Sequence, residues 1–304
     1  MSYLKKVLEI PLLLKTLFFR IMRVKKLGYV AIYELEGDIE IKLPKISLYD
    51  GLSKSGRNKI FNVNLFADAP RHEALLRKII YQLFELEYLN RNNSIIDIGC
   101  YIGDNSLVWS KLLKKGTVFA IEGFSDSLNF ASDISRINNI DNITFIDAIC
   151  ADIANLPLVP SGSHAGTSFN QSSSGIGKRS TTIDEVIPTD CHDTIDLFHI
   201  DVEGFEEKVL LGGRRVIHSS RPVIVFEQHI SSENIAPIIK LLEDLEYTVF
   251  MINEVLPGNR LDSRNFIAFD SKRPLPKLTN LENFKGMENN IWFATLGPSL
   301  VRLQ

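Results

Sequence analysis

Cysteine is scarce in this chain. Cys100, Cys150 and Cys191 are the only three, and no two stand at CxxC spacing. An odd, scattered set argues against both a disulfide framework and a thiolate zinc site, and fits a reducing, cytoplasmic setting. Long uncharged runs are also missing from the N-terminal segment, where the longest, Ile10 to Leu14, is too short to span a bilayer. No small-residue cleavage site follows it, so a secretory signal is not expected. Positive charge is short outside that segment. Residues 1–26 carry seven cations against Glu9 alone, yet the whole chain has a net charge of −3, so the main body is acidic. An acidic body excludes nucleic acid as an expected partner. The basic segment reads either as an amphipathic helix packed on the body or as one making peripheral contact with an anionic membrane surface.

What is present is organised around Ser94 to Ser106, SIIDIGCYIGDNS. A short isoleucine run ended by glycine suits a buried parallel strand, a tight turn and then a helix. Gly99 and Gly103 let backbone approach a ligand, and the following helix offers free N–H groups beside it. The spacing is GxxxG behind Asp97, not the GxGxxG that supports a dinucleotide pyrophosphate. A carboxylate before the turn repels phosphate but accepts hydrogen bonds from an amino group. Asp97, Gly99, Cys100, Tyr101, Gly103 and Asn105 are therefore candidate cofactor residues, and the pattern resembles the S-adenosylmethionine site of class I methyltransferases.

From there strands and helices alternate, through Thr117–Gly123, Asn142–Ala148, Thr194–Gly204, Pro222–His229, Tyr247–Asn253 and Asn265–Asp270. The expected fold is α/β and Rossmann-like, with a seven-stranded, mostly parallel sheet covered by helices on both faces. The expected division is residues 1–90 (basic helix, short β lead-in and the helix Arg71–Leu89), 91–270 (the catalytic domain) and 271–304 (a tail). Ile153 to Ser180, rich in Ser and Gly, shows no periodicity and reads as a lid or as disorder.

Each of the first five strands ends in polar residues. Glu122, with Gly123, stands where an acidic side chain takes the hydroxyls of a ribose. Asp147 offers an acceptor for the exocyclic amine of adenine, and Ala148 a backbone N–H. His229, Asp201, His199 and Glu203 are candidate bases. No metal is expected, although Asp201 and Glu227 together form an alternative divalent-cation pair.

IIDIGCYIGDNS, FAIEG, TTIDEV, IDLFHIDVEGFEEKVLLGG and RPVIVFE together resemble the FkbM-type family of S-adenosylmethionine-dependent methyltransferases, over about Arg71 to Asp270. That resemblance implies S-adenosyl-L-methionine as cofactor and O-methylation of a sugar, glycolipid or secondary metabolite, with a small-molecule or glycan acceptor as partner. One position departs from the family, which often carries Lys where this chain has His199. Two other readings remain, a nicotinamide-dependent oxidoreductase and a non-catalytic module that keeps the fold.

Overall fold

The computed structural model describes residues 30–33, 35, 39–43, 73–161, 169–229, 232–255, 263–278 and 294–302. The basic segment 1–26 lies outside them. Two short strands, β1 (Val30–Tyr33) and β2 (Ile39–Lys42), form an antiparallel pair. Helix α1 (Ala74–Glu85) follows and buries Leu75, Leu76, Ile79, Ile80, Leu83 and Phe84, the stripe its periodicity announces. Fully burying each such side chain stabilises the fold by about 1.5–3 kcal/mol. Arg77 is buried with them.

The central sheet contains β3 (Ser94–Ile98), β4 (Val118–Glu122), β5 (Ile143–Asp147), β10 (Ile195–Ile200), β11 (Val223–His229), β12 (Tyr247–Val255) and β13 (Ser263–Asp270). An eighth strand, β14 (Ala294–Arg302), comes from the tail and pairs antiparallel with β12. The order is β14-β12-β13-β11-β10-β3-β4-β5. Pairing is parallel from β11 through β5, and β13 runs against both of its neighbours. The mostly parallel, Rossmann-like sheet read from the sequence is thus present.

Every residue of β3 and β4 is buried, because helices cover both faces. Alternation sorts the side chains into two cores. Ile95 and Leu197 pack with α1 and Trp109 on one face. Ile96 and Phe198 pack on the other with α5 (Glu206–Gly212), α6 (Arg214–Ser220) and α7 (Ile235–Asp244). The chain moves to β4 and β5 on one side of β3 and to β10 and β11 on the other. The topological switch therefore lies between β3 and β10, and a crevice opens beyond their carboxyl ends.

The Ser/Gly interval corrects the expectation of a structureless connection. Pro157–Pro160, Phe169–Gln171 and Lys178–Thr181 are strands β7, β8 and β9, and they join β6 (Ile149–Cys150) in a small separate sheet. Residues 162–168 lie outside the described residues. Leu158, buried from β7, gives this insert an anchor that Ser/Gly content concealed.

Candidate active site

The turn after β3 places the site. Gly99, Tyr101 and Gly103 all have left-handed φ, at 75°, 47° and 76°. A Cβ on Gly99 would stand 1.7 Å from the backbone oxygen of Asp201, so glycine here lets β3 and β10 end side by side. Gly103 has a different reason from the one expected. Its Cβ would meet Ala131 of α3 (Ser125–Ile137) at 2.8 Å, so its bareness serves helix packing rather than ligand space.

Two cavities open on this turn, and Gly99, Tyr101 and Asp201 line both. The first, of about 210 Å³, is walled by Ile98, Ile121, Phe124, Ala148, Ile149 and Phe169, and one buried carboxylate, Glu122, opens on it. Backbone N–H groups of Tyr101 and Phe124 donate to the two Glu122 oxygens, at 2.9 and 2.8 Å. Burial raises the Glu122 pKa, although these hydrogen bonds hold it down. Glu203, one of the candidate bases, lines this cavity and not the second.

Asp147 does not line either cavity. Its carboxylate is paired with Lys178 and accepts from Ser125 Oγ at 2.8 Å, while Lys178 also donates to the Gly123 carbonyl at 2.9 Å. The cavity wall nearby is formed instead by Ala148, Ile149 and Phe169. Phe169, which sequence reading passed over, comes from the insert and packs on Phe124 with ring centroids 5.2 Å apart.

The second cavity, of about 220 Å³, is acidic. Glu73, Asp97, Asp104, Asp201 and Glu227 line it together with His199, Asn105 and Cys100. Asp97 and His199 are register partners on β3 and β10, and the ring Nδ1 donates to Asp97 Oδ1 at 2.8 Å. Ser106 Oγ, on α2 (Asp104–Ser110), donates to the other Asp97 oxygen. Both oxygens of Asp97 are thus engaged by protein, and its evident work is to orient His199. Burial opposes charge on His199, but the hydrogen bond to Asp97 and the charges of Asp97, Glu73 and Asp104 outweigh it, so its pKa stands above the ordinary value. Its ring packs edge-on against Trp109 at 5.1 Å. The Cys100 thiol is buried and its pKa pushed up, first by burial, so it is a wall and not a nucleophile.

Helix α1 supplies residues whose part in the site was missed. Glu254 of β12 accepts the N–H groups of Leu75 and Leu76, at 3.0 and 3.3 Å, which hangs the helix N-terminus over the strand ends. Glu73 then accepts from Asn105 and Asn265 at 2.7 and 2.6 Å. Arg77 donates to Asn105 at 2.6 Å and lies 3.6 Å from Asp104. The available signal was Arg77 itself, because a guanidinium on the buried stripe of a helix needs an anion to meet.

Asp201 and Glu227, at the ends of adjacent parallel strands, are hydrogen-bonded to each other. Burial first raises both: on Asp201 the charges of Glu227, Glu73 and Glu203 add to it and carry it well above the usual carboxylate range, and on Glu227 those of Glu73 and Glu203 outweigh the lowering by the Asp201 hydrogen bond and by His199 and carry it to about 8. His229 lines neither cavity. Among the described residues no group of three or more His, Cys, Asp or Glu is disposed to hold a metal ion. No described helix is long and apolar enough to cross a membrane. The FE after IDVEG also has a structural explanation, since Glu206 accepts from the Gly204 N–H at 3.0 Å and from Gln228 at 2.6 Å.

No curated protein sequence matches this chain. Among solved structures it is similar to precorrin-6y C5,15-methyltransferase from Geobacter metallireducens GS-15, at 18% identity over 62% of this chain and 84% of that one, with a TM-score of 0.40. It is similar to the methyltransferase FkbM from Methylobacillus flagellatus KT at 16% identity over 73% and 57% of the two chains, TM-score 0.41. A SAM-dependent methyltransferase from Aquifex aeolicus is similar at 13% identity over 62% and 86%, TM-score 0.36. Likenesses at this level say nothing of activity. The methyltransferase FkbM domain model matches residues 97–249, which is half of the chain and takes in the end of β3, the turn, all of β10 and the acid pair, and on that match the chain belongs to the FkbM methyltransferase family.

Proposed function

We propose that this chain is an S-adenosyl-L-methionine-dependent O-methyltransferase acting on a hydroxyl of a small acceptor such as a sugar, glycolipid or secondary metabolite. The observation that carries the reading is the pair of cavities meeting at Gly99, Tyr101 and Asp201, one largely apolar with Glu122 buried in its wall, the other acidic. The residues fit the cofactor. Apolar walls suit a purine, and Glu122 has lone pairs left for ribose hydroxyls after its two backbone hydrogen bonds. The acidic cavity suits the cationic sulfonium and ammonium end. Bound there, the cofactor supplies an electrophilic methyl group. The protein's own task is to hold the acceptor oxygen in line and to receive its proton.

The acid pair Asp201–Glu227 supports that second task, because both carboxyls line the acidic cavity and are hydrogen-bonded to each other. His199 supports positioning, since its Nδ1 is already committed to Asp97. The test is calorimetry with S-adenosylmethionine, S-adenosylhomocysteine and NAD, followed by a methyl-transfer screen over hydroxyl acceptors. Binding of both adenosyl-sulfur compounds without NAD, and label recovered as a methyl ether, is expected. Preference for NAD, or label on carbon or nitrogen, would overturn the reading.

A further inference from the structure

The ring of His199 is held at one nitrogen and empty at the other. Nδ1 donates to Asp97 Oδ1 at 2.8 Å, and Ser106 Oγ holds the second Asp97 oxygen, so the orientation of the ring is fixed. Across the ring, Nε2 meets no hydrogen-bond partner among the described residues. Yet the side chain is only 3% exposed and lines the acidic cavity. A buried ring nitrogen left without a partner is costly unless a ligand completes it. The charges facing the ring are those of Asp97 on β3, Glu73 before α1, Asp104 on α2 and Glu227 on β11. They favour the imidazolium against burial. An imidazolium has no lone pair, so Nε2 can only donate. What it lacks is an oxygen acceptor, not a cation. Asp97, placed by the sequence to meet an amino group of the cofactor, is spent on this ring instead.

We propose that the Nε2–H of His199 holds the α-carboxylate of S-adenosylmethionine, so that Asp97 and His199 together read the anionic group at the donor's amino-acid end. The proposal rests on the methyltransferase reading and names a group which that reading leaves unassigned. The sulfonium and the ammonium have carboxylates to face in this cavity, whereas the carboxylate of the same ligand needs a donor among them. Asp97 makes that donor directional, because it accepts from Nδ1 and stabilises the charged ring behind a charge-assisted hydrogen bond from Nε2. No bond forms or breaks at the ring. His199 then leaves the candidate bases, since a nitrogen donating to a carboxylate does not receive the acceptor's proton.

The probes are S-adenosylhomocysteine and its decarboxylated counterpart, which keeps the adenosine, the thioether and the ammonium and lacks only the carboxylate. Calorimetry on the full chain at pH 7 is expected to find S-adenosylhomocysteine bound at least about tenfold more tightly. In His199→Asn the amide nitrogen stands near the place of Nδ1 and can still donate to Asp97, but nothing stands at Nε2. The two probes should then bind within about twofold of each other. A histidine that only braces the fold would weaken both probes alike and leave their ratio as in the wild type. That result, or equal affinities in the wild type, would overturn the proposal. Nitrogen NMR of the wild type needs no variant to fold. The His199 Nε2 resonance should shift with S-adenosylhomocysteine and move far less with the decarboxylated probe, and equal shifts would also overturn the proposal. Binding of neither probe would overturn the methyltransferase reading itself, a failure distinct from binding of both alike.

Discussion

The apolar cavity holds one buried carboxylate whose two oxygens each accept a backbone N–H, and the acidic cavity beside it crowds five carboxylates around one guanidinium and one imidazole. They share the wall formed by Gly99, Tyr101 and Asp201, so the difference does not come from position in the fold. It comes from what supports each wall. The apolar cavity is lined by strand ends and an insert, whose packing depends little on charge. The acidic cavity is braced by α1, whose buried Arg77, with Glu73 just before the helix, belongs to the same hydrogen-bonded set as the site itself. Substitutions in the first are therefore expected to cost affinity, and substitutions in the second to cost stability.

Arg77→Met is the largest test of that contrast. It keeps much of the side-chain volume but removes the cation from among Glu73, Asp104 and Asn105. Breaking a buried pair by deleting one partner costs about 3–5 kcal/mol, because the remaining charges stay buried. Urea denaturation should show a loss of that order, with cofactor affinity in the folded variant changed far less. A loss below about 1 kcal/mol would mean that the acidic cavity is not held together by this network.

Glu227→Gln tests the same cavity by pH. The acid pair binds protons more tightly folded than unfolded, Glu227 at about 8 against an ordinary 4.5. Between those values the folded state holds more protons, so stability is full below about pH 4.5 and falls as pH rises toward 8. Glu227→Gln removes one titrating group and one like charge facing Asp201. The variant should lose less stability over that window, by at least about 1 kcal/mol, in denaturant melts at pH 5 and pH 8. Parallel curves for the two proteins would show that the pair is not proton-sharing.

The two cavities also differ in how far the sequence revealed them. The sheet, the Gly99 turn, Glu122 and the strand-end acids were legible because each is local, a short apolar run punctuated by glycine or a carboxylate. Asp147 stands at a strand tip like Glu122, yet Lys178, 31 residues on, takes its carboxylate. Nothing in NITFIDA marks that. Glu73 and Arg77 were hidden for the opposite reason, since α1 reads as an ordinary amphipathic helix and Glu254, from β12, decides where its N-terminus hangs. Phe169 was hidden in a Ser/Gly interval whose strands are too short for periodicity to show. Local pattern reports which element forms, and long-range hydrogen bonds decide which side chain faces the cavity.

Glu122→Gln moves the test to the apolar cavity. The amide keeps the shape and one carbonyl acceptor but turns its NH₂ toward one of the two backbone donors, Tyr101 N–H or Phe124 N–H. Charge-assisted hydrogen bonds to ribose, worth about 1.5–3 kcal/mol each, weaken as well. S-adenosylhomocysteine affinity should fall at least about tenfold by calorimetry. The pH dependence of stability set by the acid pair should stay as in the wild type. A change of affinity within twofold would remove Glu122 from the cofactor site.

Lys178→Met is the smallest and the most discriminating. Lys178 reaches from β9 to Asp147 at the end of β5 and to the Gly123 carbonyl after β4, so it fastens the insert beside the apolar cavity alone. Both partners of the ion pair are substantially exposed, at 30% and 47%, and such pairs contribute only about 0.2–1 kcal/mol. Global stability should therefore hardly change. The insert, however, delivers Phe169 to the cavity, and Phe169 sits over Gly123, where even a Cβ would approach its ring to 2.8 Å. Loosening β9 should let that ring shift, and S-adenosylhomocysteine affinity should drop by about two- to fivefold, a loss within the same 1 kcal/mol. Asp147→Asn should reproduce the loss, and the double variant should add little to it, because both substitutions open one contact. An additive double variant would mean that Asp147 meets the cofactor directly and that the division between the two cavities is drawn one strand too far in.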